Sequence, residues 1–300
     1  MDRLEAMRVA VAVADAGGLS AAGRSLAMPL ATVSRKVAEL EASVRTQIFQ
    51  RAGRGLKVTD AGAAYLDACR KILGDVADAE RAAAGEYVAP QGVITVAAPV
   101  VFGRLRLLPL LPGFLAAYPL VDVRLTLADR YVDLAEEHVD AAVRIGDLPD
   151  SALRSMRIGE TRRAACASPD YIARRGAPAS PADLAAHECV TFDRIDARDN
   201  WTFENHGRPV EVRVRSRISV STAEAAIDCA VAGVGITRVL CYQIADHLRA
   251  GRLTRLLNAF EPPPSPVHLI YPGGGRVPMK LRAFLDYVAP RLRQTLAGQS

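Results

Sequence analysis

A chain of 300 residues, half of them hydrophobic, can bury substantial cores, and at ~100 to 200 residues per domain it predicts two or more domains rather than one small fold. The 38 basic and 33 acidic side chains leave a formal charge of +5, which suits an anionic partner without demanding one. Five cysteines (69, 166, 189, 229, 241), widely spaced and with no C-x-x-C pair, argue against a disulfide framework or zinc site and for buried thiols.

Asp2 and Glu5 stand where a secretory signal wants only positive charge, and no apolar run approaches ~18 residues, so a cytoplasmic protein without a membrane span is expected. Residues 15–59 hold seven basic side chains (Arg24, Arg35, Lys36, Arg45, Arg51, Arg54, Lys57) against three acidic ones (Asp15, Glu39, Glu41), a local net of +4. Most of the excess charge is therefore near the N-terminus. The strong preference for Arg over Lys says little more than genomic composition.

In chain order, Leu4, Met7, Val11 and Ala14 fall on one face of an amphipathic helix that Gly17-Gly18 stops. Ser20 is expected to cap a second helix running to about Ala27, and Pro29 to sit in the first turn of a third, where its missing N–H costs nothing. The third helix buries Val33, Val37, Leu40 and Val44. At about 100° per residue, Arg35 and Ala31 then point away from that stripe, with Thr32 and Ser34 on its flanks.

Short extended pieces, Gln47 to Phe49 and Leu56 to Val58, flank RAGRG, a glycine-bearing hairpin tip with two arginines, Arg51 and Arg54. Three helices followed by a basic hairpin make a winged helix-turn-helix. Thr59 can cap a long helix lasting to about Gly85. Within it Tyr65, Cys69, Ile72, Val76, Ala79 and Ala83 repeat every 3.5 residues, the seam of a two-stranded coiled coil. Dimerisation through that seam and packing against the chain's own domain both fit it.

After Ala89-Pro90 strands and helices alternate: GVITVAAP, a helix from Phe102 to Tyr118, VDVRLTLA, a short helix from Tyr131 to Glu137, and AAVRIG. A second set from about Arg162 contains SPDYIARRG, SPADLAAH, ECVTF, VEVRVR, a helix from Thr222 to Ala232, and GVGITR. VHLIYP and a helix from Pro278 to about Gln294 return to the first sheet. The alternation predicts mainly parallel sheets in two α/β lobes.

The run AVADAGGLSAAGRSLAMPLATVSRKVAELEASVRTQIFQRAGRGLKVTDAG resembles the N-terminal region of LysR-type transcriptional regulators nearly position for position. AAVRIGDLPDS, CASPDYIARRG, SPADLAAHECVTF and AVAGVGIT are similar to that family's effector-binding domain, so the resemblance spans essentially the whole chain. It implies an N-terminal all-α winged helix-turn-helix (1–59), a linker helix (60–89) and a two-lobed α/β domain of the type 2 periplasmic-binding-protein kind (90–300, lobe I about 90–161 and 268–300, lobe II about 162–267). The implied partners are double-stranded DNA carrying an inverted-repeat operator, a small-molecule effector, and further copies of the chain as a homodimer through the linker helix and a homotetramer. No cofactor or metal is implied.

The DNA-facing set implied by the resemblance is Ser20, Pro29, Leu30, Ala31, Thr32, Ser34, Arg35, Arg51 and Arg54, with Arg35 reading guanine in the major groove. Where many relatives begin the recognition helix with a polar pair, this chain has Pro29-Leu30. Leu30 either meets a thymine methyl or packs on the core. The implied effector set is Ala98, Pro99, Val100, Phe102, Arg144, Ile145, Ser221 and Thr222, gathered at the carboxyl ends of strands, where helix N-termini offer free N–H groups to anions. Pro99-Val100 replaces the hydroxyl many relatives carry there, so the pocket is expected to be partly apolar and its ligand a small carboxylate. Arg144 either balances that carboxylate or only pairs with a neighbour such as Asp147.

GVGITR lacks the third glycine of a dinucleotide fingerprint and lies between a helix and a strand, so it reads as a helix C-cap turn. His187, Glu188 and Cys189 have no metal-ligand spacing, and there is no nucleophile elbow or P-loop, so an enzyme is not expected. A solute-binding protein would need a signal sequence and no winged helix. A constitutive, ligand-independent DNA binder or repressor remains as the alternative.

Overall fold

Helix α1 (Arg3–Asp15) begins at Asp2, whose carboxylate accepts from the N–H groups of Leu4 at 3.0 Å and Glu5 at 3.2 Å. It buries Ala6, Met7, Val9, Ala10 and Val13, while Leu4 is exposed and Val11 and Ala14 are half-buried. The buried stripe is thus rotated from the expected one. In a helix this rich in alanine and valine, close approach of α3 and α4 selects small residues for the inner face, and the lone leucine is left outside.

Helix α2 (Leu19–Ser25) is capped by Gly18; Ser20, expected as the cap, sits exposed inside the first turn. The turn to α3 (Leu30–Val44) passes through Ala27 with φ +52°, and Pro29 is the N-cap residue of α3. Gly23 lets this turn close: a Cβ there would lie 2.9 Å from the Met28 carbonyl oxygen. Val33, Val37 and Leu40 are buried as expected, with Val44 half-buried. Lys36 Nζ meets Glu5 at 2.6 Å and ties α3 to α1. Glu41 accepts from Ile48 N at 2.7 Å and Phe49 N at 2.9 Å, anchoring the hairpin β1 (Phe49–Ala52) and β2 (Gly55–Val58).

The computed structural model describes residues 2–52, 55–83, 89–149, 151–192, 200–274 and 277–297, without the side chains at 51, 52, 55, 78, 79 and 81–83. Arg54 therefore lies outside the described residues, as do the Arg51 side chain, Gly85, and the side chains of the seam residues Ala79 and Ala83.

Thr59 starts α4 (Asp60–Ala83), its hydroxyl accepting from Gly62 N at 2.9 Å and donating to Gln47 O at 2.7 Å. The first part of the expected seam serves the chain's own domain: Cys69 is buried with Leu66, and Tyr65 is half-buried. Arg70 bridges Asp15 at 2.6 Å and Asp67 at 3.0 Å, locking α4 to the end of α1. Ile72, 42% exposed, is where the seam leaves that core.

The chain forms two compact units, Met1–Val93 and Ile94–Ser300. The rest runs β3 (Gly92–Ala98), α5 (Val100–Phe102), α6 (Leu111–Ala117), β4 (Val121–Leu127), β5 (Ala141–Ile145), β6 (Leu153–Thr161), β7 (Arg163–Ala167), α7 (Pro169–Arg175), β8 (Glu188–Phe192), β9 (Asn200–Asn205), β10 (Arg208–Arg213), β11 (Arg215–Val220), α8 (Ala223–Val231), β12 (Ile236–Leu240), α9 (Cys241–Arg249), β13 (Thr254–Leu256), β14 (Ser265–Pro272) and α10 (Met279–Ala297).

One sheet has the order β4-β3-β5-β14-β6 and a second β11-β8-β12-β7-β13. Both are mixed rather than mainly parallel. β3 and β5 are parallel but β14 is antiparallel to β5 and β6; β11, β8 and β12 are parallel, but β7 is antiparallel to β12 and β13. The reversed strands, β7 and β14, are the ones the chain enters on crossing between lobes. β6 leaves the first sheet and β14 returns to it, pairing from Ser265 opposite Thr161, three residues before the expected return at 268.

Two expected helices differ. The stretch from Val100 is helical but broken into α5, a π-turn over Gly103–Leu107, a 3-10 turn over Leu108–Leu110, and α6, because Pro109 and Pro112 lack the N–H a continuous helix needs. Contrary to the sequence expectation, Val100–Ala117 is long and apolar enough to cross a membrane by length and composition, although its Val101, Phe102, Leu107, Leu111 and Phe114 pack in the lobe core and it carries Arg104 and Arg106. The segment from Tyr131 to Glu137 is a turn, closed by Asp133 accepting from Ala135 N at 2.8 Å and Glu136 N at 3.0 Å. VEVRVR is likewise two strands, β10 and β11, divided at the buried Val214.

Candidate functional site

Two surfaces carry the chemistry. On α3, Leu30 is 50% exposed and therefore does not pack on the core. Ala31, Ser34 and Arg35 are exposed beside it, Thr32 is half-buried, and Pro29 is exposed at the helix start. The Thr32 and Ser34 hydroxyls make no hydrogen bond among the described residues. Arg35, with its side chain 67% exposed, pairs with Glu39 at 3.3 Å, one turn along the same face. The buried stripe on one side of α3 and this polar, cationic strip on the other follow from the 3.6-residue period alone.

The second surface is a cavity of about 280 Å³ where the carboxyl ends of β3, β4, β5, β8, β11 and β12 converge. Of the expected residues it brings together Ala98, Pro99, Arg144, Ile145 and Ser221. The other three do not line it. Phe102 is fully buried, edge-on to Tyr242 at 5.6 Å. Val100 donates its N–H to Asp129 at 3.0 Å, so that helix start is already met by the chain's own carboxylate. Thr222 caps α8, its hydroxyl accepting from Ala225 N at 3.2 Å.

Sequence reasoning missed Asp129, Arg130, Tyr131, Arg163, Phe192, Tyr242 and Gln243, all on the cavity wall. The rule that pointed to the turn after β3 applies equally to LADRY after β4, and would have found the first three. Arg130 is held by Glu137 at 2.5 Å, and that hydrogen bond keeps the Glu137 carboxyl below the usual range. Burial pushes the Tyr242 phenol up, with the Asp129 carboxylate adding to it.

Arg144 does not pair with Asp147 among the described residues. Its guanidinium lies 3.8 Å over the Tyr131 ring, and Nη2 donates to the Val132 carbonyl at 2.6 Å. Burial works against its charge, and the ring face and carbonyl offset that cost. The cavity thus combines three guanidinium groups, one carboxylate, and aromatic and aliphatic walls, a setting for a small anion with an apolar part.

A winged helix joined to a two-lobed domain with a cavity at its strand ends is the architecture of a ligand-responsive transcription regulator. The comparisons agree: residues 4–63 match the bacterial regulatory helix-turn-helix protein, lysR family, and residues 89–293 match the LysR substrate binding domain. The chain belongs to the LysR family of transcriptional regulators. It is 31% identical over 290 residues to an HTH-type transcriptional repressor of Pseudomonas aeruginosa, covering 96% of this chain and 92% of the relative. To the HTH-type transcriptional regulator CrgA of Neisseria meningitidis serogroup B it is 31% identical over 298 residues, 98% of each chain.

The solved structure of CrgA, a LysR-type regulator, superposes with a TM-score of 0.62 at 30% identity, covering 96% of this chain and 98% of that one. Full-length AphB, a Vibrio cholerae virulence activator, shares the fold with a TM-score of 0.61 at 24% identity, covering 95% and 98%.

Proposed function

We propose that this protein is a cytoplasmic, sequence-specific DNA-binding regulator whose activity is set by a small carboxylate bound in the cavity between its two α/β lobes. The observation that carries the DNA reading is the outer face of α3, where Leu30, Ala31, Ser34 and Arg35 are exposed and Arg35 makes only an i,i+4 pair with Glu39 among the described residues. An α-helix about 12 Å across fits the major groove, where Arg35 reads guanine, Leu30 meets a thymine methyl, and Thr32 and Ser34 bond phosphates or bases. Arg51 and Arg54 add positive charge for the adjacent phosphate backbone.

Exposed Ile72 on α4 supports dimerisation through that helix, with the dimer reading an inverted repeat and two dimers forming the tetramer. An effector that prefers one lobe arrangement shifts DNA binding in proportion to that preference. Selection of genomic fragments at ~150 mM salt, followed by footprinting, tests the reading, because affinity depends steeply on salt. Protected inverted half-sites separated by whole helical turns support it. Sequence-blind, salt-sensitive binding would replace it with the constitutive alternative.

A further inference from the structure

A second cavity of about 490 Å³ adjoins the cavity at the strand ends and shares Tyr131, Arg144 and Ile145 as a common wall. Its remaining wall sets the aliphatic side chains of Leu148, Pro149, Leu153 and Ile270 beside the polar Asp147, Ser151 and Ser155. The inner cavity falls just below the range of small-molecule pockets, about 300 to 1,000 Å³, and a ligand confined to it would leave the larger chamber and its four aliphatic side chains to solvent.

At the junction stands the Arg144 guanidinium, stacked on the ring of Tyr131, which is 62% exposed. Its one hydrogen bond among the described residues uses Nη2, so Nε and Nη1 are available to an anion. A carboxylate anchored there faces aromatic and polar groups on one side and, on the other, a chamber in which Leu148, Pro149, Leu153 and Ile270 offer an apolar wall. Asp147 in that chamber repels a second negative charge.

We propose that the effector is an elongated monocarboxylate with an apolar tail, its carboxylate held by Arg144 at the junction and its tail lying in the outer chamber. The inference rests on the carboxylate reading above.

Titration calorimetry of the full-length protein with straight-chain acids of about four, six, eight and ten carbons tests it, the range chosen to span both chambers. Affinity is expected to rise about threefold to fourfold per methylene from six carbons onward, the factor for burying a CH₂. Ser155→Trp places a bulky ring at an exposed position on the outer wall without disturbing the core. It should flatten that rise, leaving the four-carbon acid and the thermal unfolding midpoint unchanged. Arg144→Gln should weaken acids of every length by at least about tenfold, the loss of a charge-assisted bond.

If short acids bind and length adds nothing, or the rise survives Ser155→Trp undiminished, the tail chamber is wrong while the effector reading stands. If no acid of any length binds, the carboxylate reading falls, and this inference with it.

Discussion

Replacing Arg35 by alanine separates a DNA-reading residue from a structural one. The side chain is 67% exposed, and its polar contact among the described residues is the i,i+4 pair with Glu39 at 3.3 Å. Such an exposed pair contributes about 0.3 to 0.5 kcal/mol, and alanine is the best helix former, so the unfolding free energy should change by less than about 0.5 kcal/mol. A guanine contact is worth about 1 to 3 kcal/mol, roughly 5-fold to 150-fold in affinity. Binding should therefore suffer far more than stability.

Fluorescence anisotropy at ~150 mM salt, on the best selected fragment and on a scrambled one, measures the difference. Arg35→Ala should weaken the selected fragment and leave the scrambled one nearly unchanged. Equal losses on both, with the salt slope reduced by about one, would reassign Arg35 to a phosphate. Unchanged affinity would refute the assignment of this helix face.

Gly62→Ala should destabilise the N-terminal unit by about 1 to 3 kcal/mol, since its Cβ would lie 2.2 Å from the Ile48 carbonyl oxygen, and should exceed Gly23→Ala, where the approach is 2.9 Å; thermal unfolding in the reverse order would contradict the packing. Phe114, fully buried and edge-on to Phe284 at 5.4 Å, should cost about 3 to 5 kcal/mol as alanine, measured by denaturant titration; a loss below about 1 kcal/mol would place it outside the core. Burial pushes the Cys166 and Cys189 thiols up to about 12 from 9.0, so the native state keeps protons that the unfolded chain releases. Stability should fall as pH rises from about 9 towards 12, and neither thiol should react with a thiol reagent at pH 8 without unfolding; rapid native labelling of either would overturn it.

Periodicity served well where one face was clearly apolar. Val33, Val37 and Leu40 were legible because their spacing admits one buried face, and the DNA-facing strip is simply its complement. It failed on α1, where alanine and valine give little contrast and packing chose Ala6 and Ala10 over Leu4. At Tyr131 to Glu137 the helical pattern lost to local hydrogen bonds from Asp133, a competition that hydrophobic spacing does not register.

The sequence by itself determined the winged helix, the α/β order, and the strand ends where a ligand could sit, because each depends on residues a few positions apart. The tertiary structure decided the cavity. Ala98, Tyr131, Arg144, Arg163, Phe192, Ser221 and Tyr242 come from segments spread over more than a hundred residues, and only the mixed sheets and the two crossings between them bring these side chains together. Whether Arg144 met Asp147 or the ring of Tyr131 was likewise undecided by the chain, since both neighbours are close in sequence and only the path of the turn after β4 put the ring beneath the guanidinium.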